Sequence, residues 1–245
     1  REIEKFSLNA KNLITMGSHN SYTPASFKRN NLSLIFTKFD RIINFDKLNK
    51  TITVEAGIEL SNLLNFTLKH KMWLPQIPGY PSITLGGAVA ANTHGKSSDT
   101  HGTIRNQIKS ILIFHKTHGW MKLSDRENKD IFDLTIGGFG LTGTIVNVEL
   151  ELIEINGCNF TTTVEKVTSA KDAVEKLNKR DFTNTFSYSW NKTFNKKHFG
   201  EGLIFNNKIN DNEKNLPINK MHFKSKNLDK YFVLNFWNKY SIKFF

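Results

Sequence analysis

Polar and apolar side chains alternate along Thr51-Ile52-Thr53-Val54-Glu55 and the alternation stops at Ala56-Gly57, the period-two pattern of a strand with one face on a core. Shorter β-favouring runs precede it at Leu34-Ile35-Phe36 and Ile42-Ile43-Asn44-Phe45-Asp46. The period then changes. Ile58, Leu60, Leu63, Leu64 and Leu68 recur at helical spacing, which predicts an amphipathic helix over about 59–71, closing before the Trp73-Leu74-Pro75 break. Residues 75–103 hold three Pro and five Gly and read as a long stretch with little regular structure, which in a compact domain is usually functional. Strands resume over 108–115 and 143–155, separated by the turn-like Thr117-His118-Gly119 and a polar segment.

After Gly157 the composition shifts. A helix is predicted over 169–179, with Ser169 as its cap and Ala173, Val174 and Leu177 on one face. Aromatic-rich runs at 186–190 and 231–237 then alternate with Asn/Lys segments. The expected organisation is a first domain over 1–156 and the beginning of a second over 157–245.

At 245 residues the chain can bury one large core or two modest ones. Its net charge of +12 raises the question of nucleic acid, but the lysines are scattered among asparagines and form no basic run of about five to eight residues. No nucleic-acid partner is expected. The spread charge instead favours an anionic substrate such as a phosphate-linked lipid, with peripheral membrane contact. No stretch approaches the roughly 18 apolar residues of a spanning helix. The opening Arg1-Glu2-Ile3-Glu4-Lys5-Phe6 lacks the apolar core of an export signal, and without an initiator Met the chain is expected to start inside a longer protein. Cys158 is the single cysteine, so no disulfide forms within the chain; a reducing, cytoplasmic setting is the expectation, and no metal site is expected.

Three segments carry candidate chemistry. Met16-Gly17-Ser18-His19-Asn20-Ser21-Tyr22 follows the apolar Leu13-Ile14, so a strand empties into a turn whose backbone N–H groups can bind anionic oxygens. In the second, Pro78-Gly79 leads through Thr84-Leu85-Gly86-Gly87-Ala88 and Ala90-Ala91-Asn92-Thr93 to His94-Gly95-Lys96. Bulk is stripped from it over two turns, so a large flat ligand can lie against the main chain. The third, Gly137-Gly138-Phe139-Gly140-Leu141-Thr142-Gly143, leads into a strand that includes Ile145. Taken singly, the first reads as an ordinary turn and the third equally as a loop-to-strand bend.

In this order, with Thr53-Val54-Glu55-Ala56-Gly57 ahead of the second, the segments resemble the vanillyl-alcohol-oxidase-type (PCMH-type) FAD-binding domain. Within that family the likeness is to the oxidase subunit of decaprenylphosphoryl-ribose 2′-epimerase. It rests on Thr84 to Ala88, on His94-Gly95-Lys96 and on the glycine run from Gly137 to Gly143, and covers about residues 10–155. The implied fold is α+β: a two-lobed FAD-binding domain followed by the start of an α+β substrate domain.

The resemblance implies that Gly17, Ser18, His19, Asn20 and Ser21 wrap the FAD pyrophosphate through main-chain amides, with Tyr22 close to the flavin. Asn20 stands where many relatives carry a histidine bonded to the flavin. Having no ring nitrogen, it implies dissociable FAD, unless the adjacent His19 takes over the link. Attachment through a cysteine as well is excluded, because Cys158 lies outside every matching segment. Pro78, Gly79, Thr84, Gly86, Gly87, Ala88, Asn92, His94 and Gly95 would run beside the isoalloxazine and pyrophosphate, with Ile145 giving main-chain contacts on the adenine side. His94, Lys96 and Tyr22 are the candidate catalytic residues, and Lys96 and Trp190 the candidate substrate contacts. Trp190 on its own reads first as a core aromatic.

The implied reaction is hydride transfer from a sugar carbinol to flavin N5, giving a keto sugar that a partner reductase would convert to the epimer. An aldonolactone or alditol oxidase of the same fold is the first alternative; a basic, non-catalytic binding module is the second. Family members continue well past this length and return to the FAD domain with an active-site lysine, so a fragment is expected.

Overall fold

The chain is described here by a computed structural model, which covers residues 3–5, 13–21, 26, 29–157, 159–179, 181, 185–193 and 196–210. After helical residues 3–5 come four strands: β1 (Leu13–Met16), β2 (Leu32–Ile35), β3 (Ile42–Asp46) and β4 (Thr51–Glu55). β1 and β2 form a parallel pair. The alternation along β4 buries Ile52 and Val54 completely, as the sequence predicts. Helix α1 (Leu60–Lys69) follows, turning Leu60, Leu63 and Leu64 inward at the expected spacing. After β5 (Met72–Trp73) come α2 (Leu85–Ala90), α3 (Ser98–His101), a 3-10 turn (Ile104–Gln107) and the hairpin of β6 (Ile108–His115) and β7 (Gly119–Ser124). Helix α4 (Lys129–Thr135), β8 (Thr144–Glu151) and β9 (Ile153–Glu154) complete the first unit.

Its centre is a five-stranded sheet in the order β3-β4-β8-β6-β7, antiparallel at every pairing. β8 lies in the middle and pairs with both β4 and β6. Ile52, Val54, Ile111, Ile113, Val148 and Leu150 supply the buried face, against which Leu60, Leu63, Leu85, Val89 and Phe132 pack.

Two stretches differ from the sequence-based expectation. Residues 75–103 contain two short helices; in α2 a cap and bonds to other segments hold the helix where its glycines disfavour it on propensity alone, and α3 is a single turn closed by local bonds to Ser97 O and Ser98 O. The polar segment after Gly119 contains β7 and α4. In β7 only Leu123 is fully buried; Trp120 and Lys122 stay exposed, so the alternation is dominated by polar positions.

The second compact unit covers Asn159–Asn210 among the described residues. It holds β10 (Phe160–Val167), α5 (Ala170–Asn178), β11 (Phe186–Asn191), a 3-10 turn (Lys196–His198) and β12 (Gly202–Ile209), with an antiparallel sheet in the order β10-β12-β11. Ser169 caps α5 by accepting from the Asp172 N–H at 3.1 Å, as expected from sequence. Ala173 and Leu177 of α5 pack on Val167 and Ile204 of the sheet. Strand pairing places Phe160, Phe186, Tyr188, Trp190 and Phe205 on the opposite face, where Tyr188 and Phe205 stack at 5.0 Å. Trp190 is 70% exposed among the described residues, against its reading as a core aromatic, since its position in β11 turns it away from α5. The aromatic run at 231–237 lies outside the described residues.

Candidate functional site

Leu85-Gly86-Gly87-Ala88-Val89-Ala90 is a poor helix former, and α2 exists because both its ends are tied to other segments. At its start Thr84 Oγ1 accepts from the Gly87 N–H at 3.4 Å, while Leu85 N–H and Gly86 N–H donate to the carbonyls of Ile58 and Ala56 at 2.8 and 2.7 Å. At its end Asn92 takes a left-handed φ of 45°, and Asn92 N–H and Thr93 N–H return to the carbonyls of Val89 and Ala88, each at 3.0 Å. Asparagine tolerates that conformation better than most side chains, which is a structural reason for its place here.

The third glycine segment closes on the same helix end. Gly137 N–H donates to Val89 O at 3.0 Å and Phe139 N–H to Ala90 O at 2.9 Å. Thr135 at the end of α4 and Thr142 share a hydroxyl bond of 2.8 Å that ties off this loop. Ile145 follows in β8, opposite Ile113 of β6, with its side chain buried.

The first segment reaches the other end of α2. A Cβ on Gly17 would lie 2.0 Å from Thr84 Oγ1, so glycine is required for β1 to turn directly over the cap. Asn20 Nδ2–H donates to Ser82 O at 2.9 Å. His19 sits at φ 60°, and among the described residues the main-chain N–H groups of Gly17, Ser18, His19, Asn20 and Ser21 find no main-chain acceptor. A left-handed residue amid amides that have no main-chain acceptor among the described residues suits an anion-binding nest. Tyr22 lies outside the described residues. All three segments therefore meet around α2.

The close approaches also sort the glycines. Gly86 lies against Ala56, 3.0 Å from where its Cβ would be, so its missing side chain serves packing of the chain on itself. Gly79 and Gly140 have open space, and Gly87 is exposed with only Thr84 Oγ1 nearby. Pro78 is half-buried and Ala88 fully buried.

His94 and Lys96 are exposed on either side of the buried Gly95, and His94 Nδ1 lies 3.1 Å from Gly95 O. Two buried residues that sequence reasoning passed over, Gln76 and Ser97, hold this turn from beneath. Nothing in the local pattern marks Gln76 as buried; it stands among prolines in what reads as a polar loop. A few residues on, burial pushes the His101 imidazole below its ordinary value, favouring the neutral ring at neutral pH. Trp190 belongs to the second unit.

Buried polar atoms test what such a site can hold. Ser18 Oγ, Asn92 Oδ1 and Thr93 Oγ1 are shut off from solvent and have no partner among the described residues. Hydroxyl donors, a carboxamide acceptor and a nest of amides beside open backbone suit a dinucleotide that carries phosphate oxygens, sugar hydroxyls and a flat ring. The residues present fit FAD.

Residues 4–120 match the FAD binding domain family. The decaprenylphosphoryl-beta-D-ribose oxidase of Mycolicibacterium smegmatis (strain ATCC 700084 / mc(2)155) is 29% identical over 143 residues, which are 58% of this chain and 31% of that one. The L-gulonolactone oxidase of Mus musculus is 28% identical over 116 residues, 47% of this chain and 26% of its own length. A solved structure of alkyldihydroxyacetonephosphate synthase shares the fold with a TM-score of 0.70 at 18% identity, over 85% of this chain and 48% of that one. The chain thus spans between a quarter and a third of the curated relatives it matches and about half of the solved one. The match to the FAD binding domain family falls within the first unit, over residues 4–120, and the fold is that of the solved synthase.

Proposed function

We propose that this chain is the flavin-binding part of an oxidoreductase that oxidises a sugar hydroxyl to a ketone, with a phospho-sugar lipid as its substrate class. The observation that carries the reading is the meeting of three glycine-bearing segments around α2, where Ser18, Asn92 and Thr93 hold polar atoms without a partner among the described residues. FAD, when bound, supplies the hydride acceptor. The amides of 17–21 would hold its pyrophosphate, main chain from Gly86 to Gly95 would contact the cofactor, and Ile145 would give main-chain contacts on its adenine side. His94, Lys96 and Tyr22 orient the substrate hydroxyl and handle its proton. In this reading residues 1–156 are the FAD-binding domain and 157–245 open the substrate domain, where the exposed Trp190 packs on a sugar or lipid chain. A reductase partner would consume the keto sugar. The setting is cytoplasmic with peripheral membrane contact; among the described residues no helix is long and apolar enough to cross a membrane.

The FAD is held without a covalent bond. Asn20 offers no ring nitrogen, and its amide donor is engaged by Ser82 O. Reconstituted protein is expected to show a flavin band and to release its colour to the supernatant on acid precipitation. A yellow pellet overturns dissociable FAD, and failure to take up FAD overturns the whole reading. Oxidation of phospho-ribosyl lipid, but not of lactones or alditols, is the expected substrate pattern. Peroxide release with lactones or alditols instead would favour an aldonolactone or alditol oxidase.

A further inference from the structure

We propose that Gln76 is a positioning residue, whose buried carboxamide sets the His94-Gly95-Lys96 turn in the orientation that bound flavin requires. The inference rests on the flavin-binding reading above. Gln76 has no exposure at all, and burying a primary amide is costly unless every strong donor and acceptor is used. Its Oε1 accepts from Gly95 N–H at 2.6 Å, and its Nε2–H donates to Ser97 Oγ at 3.3 Å. Ser97 O–H in turn donates to Pro75 O at 2.8 Å.

Each role in this chain of bonds is fixed by its ends. Gly95 N–H can only donate, so the amide oxygen must face it; Pro75 O can only accept, so the Ser97 hydroxyl must spend its proton there and receive the Nε2–H on a lone pair. Only one orientation of the Gln76 amide allows both of its bonds to form. The turn has no slack either, because a Cβ on Gly95 would lie 2.6 Å from Ile77 O. With Gly95 pinned inward, the residues on both sides of it are left exposed. One concealed side chain therefore governs two exposed candidates at once. Core packing does not need an amide at this place: a methionine would fill the same volume. An uncharged amide also does not titrate, so the turn keeps its geometry across the working pH range.

The test compares the full chain with its Gln76→Met and Ser97→Ala variants, reading FAD affinity, the visible band of bound flavin and its reduction potential, with thermal unfolding of each apo form alongside. Gln76→Met is expected to weaken FAD binding about tenfold or more and to alter the band or the potential, with Ser97→Ala intermediate. A variant that melts earlier yet binds FAD with wild-type affinity, band and potential overturns the proposal, because Gln76 is then only structural. Should Gln76→Met fail to fold, Ser97→Ala is judged by the same criterion. If the wild-type chain itself takes up no FAD, it is the flavin-binding reading that fails, and this inference falls with it.

Discussion

A single methyl group separates Gly17 from a clash with Thr84 Oγ1 at 2.0 Å, so Gly17→Ala must displace either the first loop or the cap of α2. We expect a loss of about 1–3 kcal/mol of stability in urea unfolding, together with weaker FAD uptake. A second residue-scale prediction concerns acid. Arg41 donates to Glu55 at 2.7 and 3.1 Å, and these bonds, outweighing burial, hold the nearly buried Glu55 carboxyl below its ordinary range. A carboxyl lowered on folding stabilises the native state fully above its unfolded value near ~4.3, and that contribution drains as pH falls toward the folded value. Arg41→Ala should therefore lower stability at neutral pH, a gap that narrows below pH ~4 when unfolding is repeated there. Which residues mattered was partly legible in the sequence. The glycines marked the site, yet their reasons divide: Gly17 and Gly86 serve the chain's own packing, while Gly79, Gly87 and Gly140 border open space. Gln76 and Ser97 left no trace in the pattern, because a buried hydrogen-bond chain between residues 21 apart has no periodicity.

Among elements, α2 is the one whose two ends meet the first and third glycine segments. Six residues with two adjacent glycines form a helix only through what binds their ends, which is why the sequence pattern read them as irregular. Thr84→Ala removes the side chain that caps Gly87 N–H; about 1 kcal/mol of stability should be lost, and FAD affinity should fall with it. The main strands and α1 were legible because their patterns coincide with burial: Ile52 and Val54 inward in β4, Leu60, Leu63 and Leu64 inward in α1. β10 was not, since from Phe160 to Lys166 every residue is exposed and only Val167 is buried. No alternation can mark a strand whose two faces are equally wet among the described residues.

For the molecule as a whole, the two compact units have separate cores, one around the five-stranded sheet and one around Val167, Ala173 and Ile204. Caps in different cores should not know of each other. The double variant Thr84→Ala, Ser169→Ala is expected to show the sum of the single effects within about 0.5 kcal/mol, while Ser169→Ala alone leaves FAD affinity unchanged. Titration of FAD into the three variants, beside their unfolding curves, checks both statements. The central place of β8 has a last consequence. Its first residues continue the third glycine segment, its Val146 O receives Ala56 N–H at 2.8 Å, and a side chain on Gly143 would meet Phe114 O at 2.8 Å. Side chains on a strand reverse with every step, so β8 behaves as a gear with two-tooth spacing. A deletion in the preceding loop that drags β8 by one residue would turn Val148 and Leu150 out to water, whereas a slip of two would spare the core and carry the loop about 7 Å off its seat on α2.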